Sequence, residues 1–157
     1  MKLNSQICTT REQSERLLAL GLKKETADMV ILEHPRKEGR YFYFAKEDVN
    51  WDGFPAWSLH RLIEMMPCGF QDVDYRSFVL CINSQGVSYE YHFVDEDGNG
   101  YSETDGVLEL FDNLYDDIIA HIEWLIKEEH FNKEYLEEQY ETIHNTRTNR
   151  QTDRVGV

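Results

Sequence analysis

The chain has 157 residues, of which 16 are Lys or Arg and 30 are Asp or Glu, so its formal net charge is −14. With 41% hydrophobic and 13% aromatic residues, it is too apolar for a disordered acidic tail and long enough for one domain with a core. The carboxylate surplus disfavours nucleic acid as a partner, because phosphates are bound by Lys and Arg. Apolar runs of about 18 residues, which could cross a membrane, are missing.

The N-terminus and the cysteines bear on the cellular compartment. The first six residues, MKLNSQ, lack the apolar core of a signal peptide. Three widely spaced cysteines fit a reducing compartment better than a disulfide framework. We therefore expect a cytoplasmic protein.

The charge is unevenly distributed along the chain. Residues 1–46 carry a net charge of +3, whereas residues 47–144 carry 23 acidic and four basic residues, a net charge of −19. Part of this surplus is typical of helix starts, where Asp112, Asp116 and Asp117 would meet the positive end of a helix dipole. The remainder predicts either a solubilising face or a surface that docks a basic partner.

The N-terminal third predicts a helix followed by a hairpin. Thr10 and Gln13 have the spacing of a capping box ahead of a helix over residues 11–20. The runs Met29–Leu32 and Tyr41–Phe44 are rich in β-prone residues, and the polar, Pro- and Gly-containing segment between them is typical of a loop.

The middle of the chain predicts a second helix and a second hairpin. Ser58 is a candidate N-cap for a helix that continues to Met66, where Pro67 prevents its extension. The runs Phe78–Ile82 and Val87–Val94 flank a turn at residues 84–86. Alternation in the second run places four apolar or aromatic residues on one face: Val87, Tyr89, Tyr91 and Phe93.

The C-terminal third predicts two helices, one capped by Asn113 and reaching Ile126, the other capped by Asn132 and reaching Ile143. The sequence thus predicts one α+β domain over residues 1–144, followed by a polar, mildly basic tail over 145–157. Two antiparallel hairpins, separate or joined in one sheet, would pack with three to four helices in the order α-β-β-α-β-β-α-α.

One motif resembles the start of a calcium-binding loop. Asp95, Asp97 and Asn99 alternate ahead of Gly100, and hard cations prefer such oxygen ligands around a tight turn. The position of the expected bidentate glutamate is Gly106, and a strand rather than a helix precedes the motif. The pattern favours a polar turn and no metal site, with Asp95, Asp97 and Asn99 as weak candidates.

No enzyme signature stands out. His60 and Glu64 have helical i,i+4 spacing. Asp117 and His121 have the same spacing, which favours pairing on a helix surface over a metal site. Cys81 belongs to an apolar strand and is expected in the core, and no nucleophile elbow or phosphate-binding loop occurs. No catalytic residue is assigned, no cofactor is predicted, and enzymatic activity is the less favoured interpretation.

Three aromatic residues lie just before the second predicted helix, within residues 51–57. Such side chains mostly fill cores, but Trp51 and Phe54 belong to a loop composition that could line a groove. Large aromatics and unpaired carboxylates both favour partner binding. The candidate partner-binding residues are Trp51, Trp57, Asp95, Asp97, Asp116 and Asp117.

Three runs carry a family resemblance: LLALGLKKETADM at Leu17–Met29, PAWSLHRLIEMMP at Pro55–Pro67, and NLYDDIIAHIEWLI at Asn113–Ile126. Together they resemble a family of small uncharacterised proteins from gut bacteria, some associated with prophage or other mobile elements. The resemblance implies a mobile-element context and supplies no activity, cofactor or site residue.

The sequence thus predicts a non-enzymatic binding or accessory protein that docks a partner with a basic surface through its acidic C-terminal half. Neither a membrane nor nucleic acid is the expected partner, and a homodimer is compatible with the sequence. The alternatives are a mimic of nucleic-acid charge, a small carboxylate- or metal-dependent hydrolase around Asp95–Asp105, and a small-molecule module with an aromatic pocket between sheet and helices.

Overall fold

A computed structural model describes residues 6–48, 53–83, 86–107 and 111–138 of the chain. These ranges contain three α-helices and seven strands in two antiparallel sheets, which confirms the predicted α+β class. The chain divides into two compact units. The four-stranded unit comprises Met1–Thr9 and Ser58–Phe131, and the three-stranded unit comprises Thr10–Trp57 and Asn132–Val157. The predicted domain end at residue 144 lies outside the described residues, and the single domain stays a prediction.

The three-stranded unit begins with helix α1, Arg11–Ala19, whose capping box forms as predicted. Thr10 Oγ1 accepts the Gln13 N–H at 3.2 Å, and Gln13 Oε1 accepts the Thr10 N–H at 3.0 Å. Two backbone donors at the helix start therefore find partners within one turn.

The predicted first hairpin is confirmed. Strands β1, Met29–Glu33, and β2, Tyr41–Ala45, pair with Ile31 opposite Tyr43. A third strand, β3, Phe54–Ala56, joins the free edge of β1 and was not predicted. Three residues that include a proline carry no detectable alternation, so only the pairing with β1 defines β3.

The helix predicted over residues 132–143 does not form in its described part. Asn132 does act as a cap, because its Oδ1 accepts the Glu134 N–H at 3.0 Å, but it caps only a 3₁₀ turn at Lys133–Tyr135. Leu136 is extended and forms a β-bridge with Leu22. This tertiary pairing overrides the local helical pattern. Residues 139–143, and the predicted tail, lie outside the described residues.

The four-stranded unit holds helix α2 and a four-stranded sheet. The predicted helix after Ser58 is confirmed as α2, Leu59–Met65. Four strands follow: β4, Gly69–Gln71; β5, Ser77–Asn83; β6, Gly86–Val94; and β7, Gly100–Asp105. The sheet order is β4-β5-β6-β7, so the predicted β5–β6 hairpin is confirmed and gains a strand on each side.

Helix α3, Leu114–Lys127, packs on one face of this sheet. Asn113 caps it as predicted, accepting the Asp116 N–H at 2.9 Å. Tyr89 of β6 is fully buried, and its ring centroid lies 6.1 Å from that of Trp124. The alternate β6 residues Ser88, Glu90 and His92 point to the opposite, open face, as the period of two requires.

In the part of the chain that the structure describes, no helix combines the length and the apolar character needed to cross a membrane.

Candidate functional site

The negative charge is concentrated in one unit. The described residues of the four-stranded unit carry 15 Asp or Glu and three Lys or Arg, a formal charge of −12. Those of the three-stranded unit carry 11 acidic and nine basic residues, a formal charge of −2. The surplus that the sequence placed in a long segment therefore belongs to a single compact unit.

Two turns project from the same end of the four-stranded sheet. One joins β4 to β5 at residues 72–76, and the other joins β6 to β7 at residues 95–99. Because neighbouring strands are antiparallel, the start of β5 lies beside the end of β6. We call these two turns, together with Val94, Tyr101 and Glu103, the turn end of the sheet.

The β4–β5 turn is organised around one arginine. The Arg76 guanidinium contacts Asp72 at 2.6 Å and Asp74 at 3.7 Å, and it also pairs with Glu103 of β7. Burial alone would raise the pKa of Asp72, but hydrogen bonds from the backbone and side chain of Arg76 lower it below its ordinary value. The basic residue of the turn end is thus already matched by three carboxylates.

The β6–β7 turn is organised around one aspartate. Asp95 Oδ1 accepts the Asn99 N–H at 2.8 Å and the Asp97 N–H at 3.0 Å, while Oδ2 accepts the Asn99 side-chain amide at 3.1 Å. These bonds, with a further one from Tyr101, lower the pKa of Asp95, the Asn99 amide having the largest effect. The Asp95 and Asn99 side chains therefore stabilise the turn itself. The predicted polar turn after a strand is confirmed.

Exposed apolar side chains accompany these carboxylates. Val73 and Tyr75 are 92% and 84% exposed at the tip of the first turn. Val94 and Tyr101, beside the second turn, are 68% and 50% exposed. Sequence reasoning did not single out any of the four as exposed. Val73 and Tyr75 are isolated apolar residues in a polar turn, where no periodicity marks them, and Val94 and Tyr101 lie near strand ends, where exposure depends on the neighbouring strands.

The predicted acidic candidates do not converge. Asp95 and Asp97 lie at the turn end, whereas Asp116 and Asp117 begin α3, near Gly86 at the other end of β6. The nine residues of β6 separate the two groups by about 26 Å, at roughly 3.3 Å per residue. The acidic candidates therefore do not form one surface.

Asp117 and His121 pair as predicted, but the predicted location on the helix surface is wrong. Asp117 is 7% exposed and His121 is fully buried. The Val87 N–H donates to Asp117 Oδ2 at 2.7 Å, and His121 Nδ1 lies 3.1 Å from Asp117 Oδ1. His121 Nε2 accepts the Val107 N–H at 3.4 Å, which assigns the ring hydrogen to Nδ1. The pair joins α3 to the start of β6 and to the loop after β7, and it is not available to a partner.

Two glycines make room for this buried pair. A Cβ at Gly86 would overlap Asp117 Oδ2, and one at Gly106 would lie 3.1 Å from His121 Nε2. Both have φ in the left-handed region, at +132° and +116°. The chain can thus approach α3 closely on both sides of the pair.

Of the two tryptophan candidates, only Trp57 lies within the described residues, and it is not an exposed anchor. Trp57 is fully buried, and its indole N–H donates to Thr26 Oγ1 at 2.9 Å, so the expectation of a surface anchor fails for this residue. Trp51 lies outside the described residues. The three-stranded unit also holds a cavity of about 510 Å³, and the described residues that line it include no aromatic side chain. It is lined by Ala27, Asp28, Met29, Ala45, Lys46 and Glu47.

A mixed cluster of side chains occupies the open face of the four-stranded sheet. Cys81 was predicted to lie in the core, and that prediction is wrong. It is half-buried on β5, where its thiol lies near Glu90 and His92 of β6. Burial, the negative charge of Glu90 and a hydrogen bond to it all raise the pKa of the Cys81 thiol. This environment disfavours a nucleophilic cysteine.

Comparisons with known proteins add no relative. A scan of family models, a search of curated proteins and a search of solved structures each found no match to this chain. The resemblance of its three runs to a gut-bacterial family stays a prediction.

The buried Asp117 carboxylate should be essential for stability. We expect Asp117→Ala to lower the free energy of unfolding by about 1–3 kcal/mol, because the buried Val87 N–H would lose its acceptor. Urea denaturation followed by circular dichroism measures the change. Asp116→Ala on the same turn is the matched control and should cost less than about 1 kcal/mol, since Asp116 is more exposed. Equal losses in both variants would contradict the assigned role of Asp117.

The β6–β7 turn should depend on ionised Asp95. Because its folded pKa lies below the ordinary value of 3.8, its contribution to stability is complete above that value and is lost as the pH falls through the lowered pKa. We expect Asn99→Ala to raise the Asp95 pKa toward 3.8 by removing the side-chain donor. Carboxyl-detected NMR titration measures it, with Glu96→Gln as the control. A larger shift in the control would refute this account of the turn.

Proposed function

We propose that this protein is a non-enzymatic binding protein that docks a partner with a basic surface at the turn end of its four-stranded sheet. The observation that carries the proposal is the composition of this end. It holds six carboxylates, one arginine and four exposed apolar side chains, and three of the carboxylates pair with the arginine. The carboxylates are Asp72, Asp74, Asp95, Glu96, Asp97 and Glu103.

The mixture of charge and exposed rings favours Lys or Arg side chains as the contacting groups. Carboxylates attract a cation, and an aromatic face adds a cation–π contact of about 0.5–1 kcal/mol at an exposed site. Tyr75 and Tyr101 supply such rings beside Asp74 and Asp95. A cationic partner could therefore use both kinds of contact.

The charge of the whole unit supports the same partner. Of its three basic residues in the described ranges, Arg61 pairs with Glu64 at 2.6 Å and Arg76 pairs with three carboxylates. The remaining acidic surplus produces a negative potential that extends about 8 Å into physiological salt. Such a field increases the rate of encounter with a basic surface more than it increases contact energy.

Reversing charge at the turn end should weaken binding of a basic probe. The probe is a fluorescent peptide of Lys, Arg and Gly, followed by anisotropy at low ionic strength. We expect the double variant Glu96→Lys with Asp97→Lys to bind about tenfold more weakly, because like charges would then face each other. Both side chains are exposed, so folding should be unaffected.

The matched control is Glu38→Lys with Glu47→Lys, which makes the same change in net charge at exposed sites of the three-stranded unit. Its affinity should stay within about twofold of the original. Equal losses in the two double variants would show that only net charge matters and would refute a localised surface. Binding that is insensitive to salt would refute the electrostatic mechanism.

The Tyr75 ring should contribute to affinity without contributing to stability. Tyr75 has φ = +63°, a conformation that Asn tolerates better than most residues, so Tyr75→Asn removes the ring and keeps the turn. We expect about two- to fivefold weaker binding of the peptide and an unchanged melting temperature. Phe42→Thr, which removes a 47% exposed ring from β2, should leave peptide binding unchanged. A Tyr75→Asn protein that binds like the original would exclude Tyr75 as an anchor.

A further inference from the structure

Three different metal-ligating side chains meet on the open face of the four-stranded sheet. The Cys81 sulfur, a Glu90 carboxylate oxygen and a His92 ring nitrogen all lie within 4.8 Å of one another. His92 Nε2 lies 3.4 Å from Glu90 Oε2. None of the three belongs to the turn end.

The strand register produces this triangle. Cys81 of β5 lies opposite Ser88 of β6, so Glu90 is its diagonal neighbour. Diagonal pairs have Cα atoms about 7–8 Å apart, within reach of a long side chain. His92 follows Glu90 by two residues and so points to the same face. Three ligand atoms are thus brought together by backbone geometry.

We propose that Cys81, Glu90 and His92 bind a Zn²⁺ ion, with a fourth coordination position open to solvent. In tetrahedral zinc sites the bonds of about 2.0–2.3 Å set ligand atoms about 3.3–3.8 Å apart. The separation of 3.4 Å between His92 and Glu90 already falls in this range. Small side-chain rotations would bring the wider pairs, at most 4.8 Å apart, to the same distance.

The donor set selects zinc over the common hard cations. Thiolate and imidazole ligands favour Zn²⁺, whereas Ca²⁺ and Mg²⁺ prefer shells made wholly of oxygen. Three protein ligands with one open position are also the pattern of zinc sites that retain an exchangeable water. His92 is 63% exposed at its side chain and leaves the ion accessible from solvent.

A neighbouring hydroxyl orients the carboxylate. Ser88 Oγ donates to Glu90 Oε1 at 2.9 Å, which leaves Oε2 on the side of His92. Second-shell hydrogen bonds of this kind fix the orientation of metal ligands. The Glu90 carboxylate thus contacts the side chains of Ser88, Cys81 and His92.

Titration with Co²⁺, a spectroscopic substitute for Zn²⁺, tests the proposal. The full-length protein is kept reduced with a non-thiol reductant. We expect one Co²⁺ per chain with a sulfur-to-metal charge-transfer band in the near ultraviolet. Zn²⁺ should abolish the band by displacement, and Mg²⁺ or Ca²⁺ in excess should not.

Variants assign the ligands. Cys81→Ser should lose the charge-transfer band, whereas Cys68→Ser, which changes the exposed cysteine of the same unit, should keep it. His92→Gln should weaken Zn²⁺ binding at least about tenfold with an unchanged melting temperature of the metal-free protein, because His92 is exposed. His60→Gln, on α2, is its matched control and should bind as the original does.

Several results would overturn the site. These are a protein without any charge-transfer band, a band that persists in Cys81→Ser, and a band lost in Cys68→Ser. Equal Zn²⁺ affinity of the His92→Gln and original proteins would remove His92 from the ligand set. The peptide-binding variants change other residues, so failure of the zinc site leaves the docking proposal standing.

Discussion

The four-stranded unit depends on one buried carboxylate. Asp117 is almost fully covered by protein, a position that costs several kcal/mol unless its oxygens are hydrogen-bonded. Val87 and His121 supply the donors, and His121 in turn receives the Val107 N–H. The carboxylate therefore holds the first residues of β6 and the loop after β7 against the same turn of α3. A one-residue slip of β6 would leave Asp117 without its backbone donor, so this contact fixes the register of the sheet on the helix.

That register decides what each face of the sheet presents. With Val87 at Asp117, the alternation along β6 directs Tyr89 toward α3 and directs Glu90 and His92 to the open face. The Tyr89 hydroxyl donates to the Pro67 carbonyl oxygen at 2.8 Å, and burial raises the pKa of that hydroxyl. A core contact and the metal-ligating cluster are thus consequences of the same pairing. The turn end follows as well, because the position of Val94 determines where β6 stops and its turn begins.

Local sequence signals predicted local structure correctly. They failed where pairing between residues far apart in the sequence determines the structure. The caps at Thr10 and Asn113 depend on residues three positions away, so they could be identified from spacing alone. Asn132 caps as expected, yet the strand-like pairing of Leu136 with Leu22 stops the helix after a single 3₁₀ turn. The short strands β4 and β7 have no independent signal and exist because β5 and β6 offer free edges. The burial of Asp117 and the proximity of Cys81 to Glu90 both need the register between elements, which no single segment encodes.

The absence of positive charge connects the two proposed sites. From residue 77 to residue 126 there is no Lys or Arg, a stretch that covers β5, β6, β7 and nearly all of α3. Carboxylates in this stretch have no Lys or Arg within it as a salt-bridge partner. Their charge therefore contributes to the negative field around the unit. Glu103 forms an ion pair with Arg76, which lies just before the stretch. The Glu90 carboxylate contacts the Cys81 thiol and the His92 imidazole. A carboxylate without a basic partner in the protein can bind a cation from outside, and we propose that this cation is a Lys or Arg side chain at the turn end and a metal ion on the open face.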